Sequence, residues 1–169
     1  MEKIALVNEK DEIIGFEEKM EVHYKGLLHR AFSVILYNDQ GEMLLQQRSY
    51  DKYHSPGLWT NSCCSHQLEA DASILEAAKR RTIEELGVLV NDLKCVGVLQ
   101  YRCDFENELI ENEIDSLFIG HYDGDIPFNR EEINAVKWMA KKDILAWIEK
   151  EPEVFTYWFK LLIQNKEIL

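Results

Sequence analysis

The segment Trp59-Thr60-Asn61-Ser62-Cys63-Cys64-Ser65-His66 sets two thiols beside an imidazole, and the run Ser73 to Leu86 that follows ends in the paired carboxylates Glu84 and Glu85. A thiol can carry a proton, an imidazole can ligate a metal, and neighbouring carboxylates attract a divalent cation, so the stretch suits a charged substrate held through metal. His23 and His29 lie six residues apart, and Glu111 and Glu113 lie two apart, which in an extended segment points both carboxylates to one face. Each pair also has a plain reading. Half-buried histidines without a ligand are common, and Glu106, Glu108 and Asp115 make the acidic region look like a solvated edge. Arg48 and Lys52 stand out in an acidic chain, either as ordinary solvated charge or as phosphate contacts, the first offering a fork and the second a point charge.

Several elements must position these groups. Ile4 to Val7 and Ile13 to Phe16 read as a β-hairpin around Asn8-Glu9-Lys10-Asp11-Glu12, and His23 to His29 reads as a loop entering a strand. Ala31 to Tyr37 and Met43 to Gln47, joined by Asn38-Asp39-Gln40-Gly41, predict a second hairpin. Ser73-Ile74-Leu75-Glu76 has capping-box spacing, and Gly87 can end the helix it starts in a left-handed conformation. That helix presents Arg80, Arg81, Glu84 and Glu85, and two glutamates at its C-terminus oppose the helix dipole, a placement that a cation would explain. Strands are expected over Lys94 to Arg102, Ile114 to Tyr122 and Val136 to Met139, with helices over Asp143 to Glu149 and Val154 to Gln164. Trp147, Phe155, Trp158 and Phe159 on those helices read as core by default.

The chain has 169 residues, 46% of them apolar, enough for one buried core. No apolar run approaches the roughly 18 residues needed to span a bilayer, and the apolar run near Met1 is too short for the core of a signal peptide, so a cytoplasmic location is expected. With 31 acidic against 19 basic residues, the formal charge of −12 argues against nucleic acid or an anionic membrane as partner. An anionic ligand would then need metal ions or a few clustered cations. The four cysteines form no Cys-x-x-Cys pair, and Cys63 and Cys64 are adjacent, so all four read as thiols, with Cys95 and Cys103 as small apolar residues.

Taken together, Gly26-Leu27-Leu28-His29-Arg30-Ala31-Phe32-Ser33, the Trp59 to His66 loop, Glu84-Glu85-Leu86-Gly87 and Glu111-Asn112-Glu113 resemble, in order and spacing, the type I isopentenyl-diphosphate Δ-isomerases of the Nudix superfamily over almost the whole chain. The resemblance implies an α/β Nudix fold, a mixed β-sheet sandwiched between α-helices, formed by residues 1–169 as a single isomerase domain. Nudix hydrolases follow Gly-x5-Glu-x7-Arg-Glu-U-x-Glu-Glu-x-Gly, U being apolar. Registered on Gly87, this chain keeps Arg80, Glu84 and Glu85 but has Arg81 and Ala72 where two of the glutamates stand. Losing anionic ligands beside a catalytic metal weakens hydrolysis, whereas an isomerase must keep its diphosphate intact.

By that resemblance, His23, His29, His66, Glu111 and Glu113 map onto a metal site whose nitrogen content suits Mn²⁺ or Zn²⁺. Glu85 maps onto a second site where Mg²⁺ bridges to the diphosphate, and Arg48, Lys52 and Arg81 onto diphosphate contacts. Cys64 and Glu113 map onto the acid/base pair that moves the double bond, Tyr101 onto the partner of that carboxylate, and Trp158 onto an aromatic that faces the carbocation. Cys63, in an extended segment, points away. Where the family often has Pro before the Trp158 position, this chain has Tyr157, which bears on the setting of the indole. No flavin or nicotinamide motif occurs, and a monomer acting on a small diphosphate is expected. The competing readings are a Nudix pyrophosphohydrolase, which leaves Cys64 and Trp158 without a purpose, and a silent metal-binding relative.

Overall fold

The structure, a computed structural model, describes residues 2–165. It opens with the expected hairpin of β1 (Lys3–Val7) and β2 (Ile13–Glu18), closed where the Asn8 side chain accepts from the backbone N–H groups of Lys10 and Glu12. The next segment departs from expectation. Lys19–Lys25 forms a helix, α1, so His23 stands on a helix and not in a loop. Glu18 caps it by accepting from the N–H groups of Met20 and Glu21, and Gly26 ends it at φ 65°. Glutamate is not among the usual N-cap residues and two turns give little periodicity, which is why the helix is invisible in the sequence.

The remaining strands are β3 (His29–Tyr37), β4 (Met43–Arg48), β5 (Trp59–Thr60), β6 (Cys63–His66), β7 (Lys94–Asp104), β8 (Ile110–His121) and β9 (Ile133–Met139). The helices are α2 (Ile74–Leu86), α3 (Lys141–Lys150) and α4 (Tyr157–Gln164). β3 and β4 were expected to run as a hairpin, yet they pair at Tyr37 and Met43 and then part. β3 continues parallel to β8 and antiparallel to β6, while β4 pairs with β5 and β9. Burial explains the difference. β3 is buried along both faces and needs neighbours on both edges, so it lies inside the sheet as parallel strands do.

Alternation then builds the layers. Phe32, Val34, Leu36 and Leu44 meet Ala77, Ala78 and Leu86 of α2 on one side of the sheet. Ile35, Met43, Leu45 and Leu117 meet Ile144 and Ile148 of α3 and Phe159 and Leu162 of α4 on the other. This is the mixed sheet between helices that the resemblance implied. The last helix starts later than expected: Pro152–Val154 makes a 3₁₀ turn, Phe155 is extended, and Thr156 caps α4 by accepting from the Phe159 N–H. Phe155 and Phe159 are buried as expected, and Trp147 packs edge-on against Phe155 at 4.6 Å. Cys95, expected to be packed, is exposed, and Cys103 is half-buried. No helix among the described residues is long and apolar enough to cross a membrane.

The Ser73 hydroxyl accepts from the Glu76 N–H at 3.1 Å, starting α2 as predicted, and Gly87 ends it at φ 72°. A Cβ at Gly87 would fall 2.5 Å from the Pro127 carbonyl oxygen. Gly87→Ala should cost at least the roughly 1–2 kcal/mol of a left-handed non-glycine residue, lowering the melting temperature by several degrees at about 2–4 °C per kcal/mol. Calorimetry of the variant checks this.

Candidate active site and metal centre

β8 supplies the floor of the site. Its pleat directs Glu111 and Glu113 to one face, both buried. Parallel register sets His29 beside Glu113, the antiparallel partner β6 ends at His66, and α1 carries His23 in from above. One ligand atom from each of His23, His29, His66, Glu111 and Glu113 lies within 4.8 Å of all the others. His23 Nε2 is 3.1 Å from Glu111 Oε1, His29 Nε2 is 3.0 Å from Glu113 Oε2, and His66 Nε2 is 2.9 Å from that same oxygen. His23 Nδ1 donates to the Lys19 carbonyl at 2.7 Å and His29 Nδ1 to the Leu27 carbonyl at 2.8 Å. Those bonds fix the tautomer and leave the Nε2 lone pairs for a ligand. Glu111 Oε2 is buried and makes no hydrogen bond of ordinary length, with His29 Nε2 standing 3.6 Å away. An open carboxylate oxygen converging with imidazole nitrogens is a donor set that fits a divalent metal ion.

Protons stand in for such a cation when none is bound. Burial alone would depress the His29 imidazolium, but hydrogen bonds and charge from Glu111 and Glu113 raise it to about 10. Burial and then the charge of Glu111 push Glu113 well above the usual carboxylate range. Burial and the charge of His29 push His66 well below an ordinary histidine. Tyr101 donates to Glu113 Oε1 at 2.5 Å, and burial followed by the charge of Glu113 holds its phenol well above 10.

The floor opens into a cavity of about 470 Å³, its mouth included, lined by Cys64 and Trp158 as well as Glu113 and Tyr101. Burial, opposed by the guanidinium of Arg48, pushes the Cys64 thiol up to about 12. Trp158 is buried despite the preceding Tyr157, its indole N–H donating to Asn61 Oδ1 at 3.3 Å and its ring facing the Arg48 guanidinium at 5.3 Å. Arg48, Lys52 and Arg81 line the same cavity. Arg48 is buried, donating to the carbonyls of His54 and Ser55, which rules out the plain solvated reading for it. Lys52 and Arg81 both contact Glu132, and Arg81 Nε is a buried donor without an acceptor. Glu85 does not reach the lining. It is buried behind Arg81, accepting from Arg81 at 3.0 Å, from Gln46 at 3.2 Å and from the Cys63 thiol at 3.3 Å. Glu84 is exposed and paired with Arg80 and Arg81, so of the two adjacent glutamates only Glu85 turns inward.

Sequence reasoning overlooked three groups here. Lys19 lines the cavity with its ammonium 4.3 Å above the Tyr53 ring, a placement that depends on the unforeseen helix α1. Asp115 continues the β8 face, accepts from the Ser33 hydroxyl at 2.7 Å, and is pushed up to about 7 by burial. Its spacing of two from Glu113 was the available signal. His54 is buried with Nε2 2.7 Å from Glu111 Oε1, and no periodicity marks it.

Residues 27–159 match the NUDIX domain family. The chain is 42% identical over 164 residues to the isopentenyl-diphosphate Delta-isomerase of Burkholderia multivorans, covering 97% of this chain and 92% of that protein. It is 43% identical over the same length to isopentenyl-diphosphate Delta-isomerase 2 of Photorhabdus laumondii, with the same coverage. Among solved structures, DR0079 from Deinococcus radiodurans superposes with a TM-score of 0.79 at 21% identity, covering 96% of this chain and 98% of that one. The MutT protein of Methanosarcina mazei superposes at 0.65 and 20% identity, covering 82% and 91%. At those identities the likeness is one of fold.

Two outcomes are expected of the site itself. His66→Ala should lower the transition-metal content of the purified protein while its circular dichroism is unchanged, as mass spectrometry of bound metal will show. In alkylation with iodoacetamide at pH 8, exposed Cys95 should label well before Cys64, because a thiol held near 12 is almost wholly protonated there. Peptide mapping reads the order.

Proposed function

Because the chain belongs to the Nudix family and, within it, to the isopentenyl-diphosphate Delta-isomerases, we propose that it converts isopentenyl diphosphate into dimethylallyl diphosphate in isoprenoid precursor synthesis. The observation that carries this reading is the meeting of a thiol, Cys64, with a carboxyl, Glu113, on one cavity that cations also line. An unactivated alkene has no carbonyl or phosphate to polarise, so its double bond moves only by gaining one proton and losing another.

In the proposed reaction the cations Arg48, Lys52 and Arg81 bind the diphosphate, and the hydrocarbon lies between Cys64 and Glu113. The π electrons of the alkene take the proton of Glu113 at the terminal carbon, leaving a positive charge on the tertiary carbon. A C–H bond on the far side of that carbon then supplies the electrons of the new double bond, and its proton passes to Cys64 in the small fraction of molecules in which that thiol, held near 12 by burial and opposed by the Arg48 guanidinium, is ionised, so that the thiol is restored. Tyr101 holds Glu113 Oε1 and steadies the carboxylate that remains. The face of Trp158 offers its quadrupole to the cation, and the enclosed cavity keeps water from trapping it.

We assign His23, His29, His66, Glu111 and Glu113 to Mn²⁺ or Zn²⁺ and Glu85 to a diphosphate-bridging Mg²⁺, ions that would supply the positive charge setting the acidity of Glu113 and neutralising the anion. Glu85 is covered by Arg81, whose unpartnered Nε leaves it able to turn to a phosphate oxygen. The same reading takes the protein as a cytoplasmic monomer that needs neither flavin nor nicotinamide.

Incubation with isopentenyl diphosphate and Mg²⁺ in deuterated water, followed by NMR, tests the assignment. Deuterium-labelled dimethylallyl diphosphate without phosphate release is the expected result. Phosphate or a monophosphate product would overturn it in favour of a pyrophosphohydrolase. Cys64→Ala should lose about 10²–10⁴-fold in kcat, the usual worth of a positioned acid/base group, with metal content retained.

A further inference from the structure

His54 is the fourth histidine around the buried carboxylates, and the reaction proposed above makes no use of it. It lies in the loop between β4 and β5, is buried, and brings Nε2 to 2.7 Å from Glu111 Oε1. The ring is fixed from several sides. It stacks on Phe105 at 4.7 Å with 7° between planes, meets Trp158 edge-on at 5.6 Å, and meets Tyr53 edge-on at 4.3 Å. Nδ1 faces the Ser55 hydroxyl at 3.3 Å, which can donate to it and so leave the proton on Nε2.

We propose that His54 is a positioning residue for the metal centre, donating from Nε2 to Glu111 Oε1 so that Oε2 is presented to the ion. The argument rests on the reading of the cluster as a metal site. His23 also reaches Glu111 Oε1, at 3.1 Å, but its Nδ1 is committed to the Lys19 carbonyl. A ligating His23 would give the lone pair of Nε2 to the ion and could no longer donate to Glu111. His54 then becomes the side-chain donor left to Glu111 among the described residues. Tyr101 stands in the same relation to Glu113, donating to Oε1 while Oε2 faces His29 and His66. Each cluster carboxylate therefore has one oxygen turned to the imidazoles of the cluster or left open, and one tied by a donor from outside the set. Outer hydrogen bonds of this kind orient ligands and raise metal affinity.

The test compares wild type, His54→Phe and His54→Gln as metal-free proteins titrated with Zn²⁺ against a chromophoric chelator, and with Co²⁺ while following its visible absorption. Phenylalanine keeps the stacking without the donor. Glutamine keeps an N–H near the position of Nε2. His54→Phe should bind Zn²⁺ about 10- to 100-fold more weakly with an altered Co²⁺ spectrum, and His54→Gln should stay within a few-fold of wild type. Equal affinities in all three proteins overturn the proposal. Equal losses in both variants overturn it as well, assigning the effect to the ring and not to its hydrogen bond. If wild type itself binds neither ion, the metal reading beneath the proposal fails, and the proposal with it.

Discussion

Two carboxylates side by side in a protein interior are the constraint around which this molecule is built. Burying one uncompensated carboxylate costs several kcal/mol, and a second anion beside it adds repulsion. Glu111 and Glu113 are buried together on β8, and the surroundings answer with polar partners: the imidazoles of His23 from α1, His29 from β3, His66 from β6 and His54 from the loop after β4, and the phenol of Tyr101 from β7. Each comes from a different element, so the pair acts as a point of convergence for the chain. The short helix α1, which has little propensity to form alone, is held by this convergence, because His23 joins its backbone to Glu111.

Charge is divided in space as well as balanced in sum. The chain carries −12 overall, yet Lys19, Arg48, Lys52 and Arg81 line the same cavity as the carboxylate pair. The cations draw in an anion and the carboxylates ask for a cation or for protons. The proposed substrate, with a diphosphate at one end and a hydrocarbon at the other, would meet both kinds of group in this cavity. Glu132 keeps Lys52 and Arg81 from repelling each other, and Arg81 links that cationic group to the buried Glu85.

Much of this arrangement was legible in the chain. The spacing of two between Glu111 and Glu113 needs only an extended backbone to bring both to one face, and β8 provides it. Ser73 and Gly87 bounded α2 because cap chemistry is local. Non-local properties were not legible. The turn at Asn38 to Gly41 does occur, but whether its strands stay paired depends on β6, β8 and β9 competing for their edges. The cap at Glu18 uses an uncommon residue, and Thr156 as a cap lay hidden within an apolar run that read as continuous helix. His54 stands in an irregular loop, where position in sequence says nothing about direction, so only the folded backbone brings its ring to Glu111.

The placement of carboxylates also bears on why the fold would carry isomerisation here and not hydrolysis. A Nudix hydrolase gathers metal on the glutamates of the helix that corresponds to α2. In this chain α2 turns one carboxylate inward, Glu85, and covers it with Arg81, while Glu84 faces solvent and the exposed Ala72 offers no ligand. The strongest concentration of metal-fitting groups has moved to the face of β8, beneath the position where the hydrocarbon and not the phosphate would lie. On the proposed reading, an ion there would act on the carboxyl assigned to protonate carbon and not on water attacking a phosphorus atom. Retaining one guarded carboxylate on α2 still permits a cation to bridge the diphosphate, so binding of the anion is kept while the means of cleaving it are reduced.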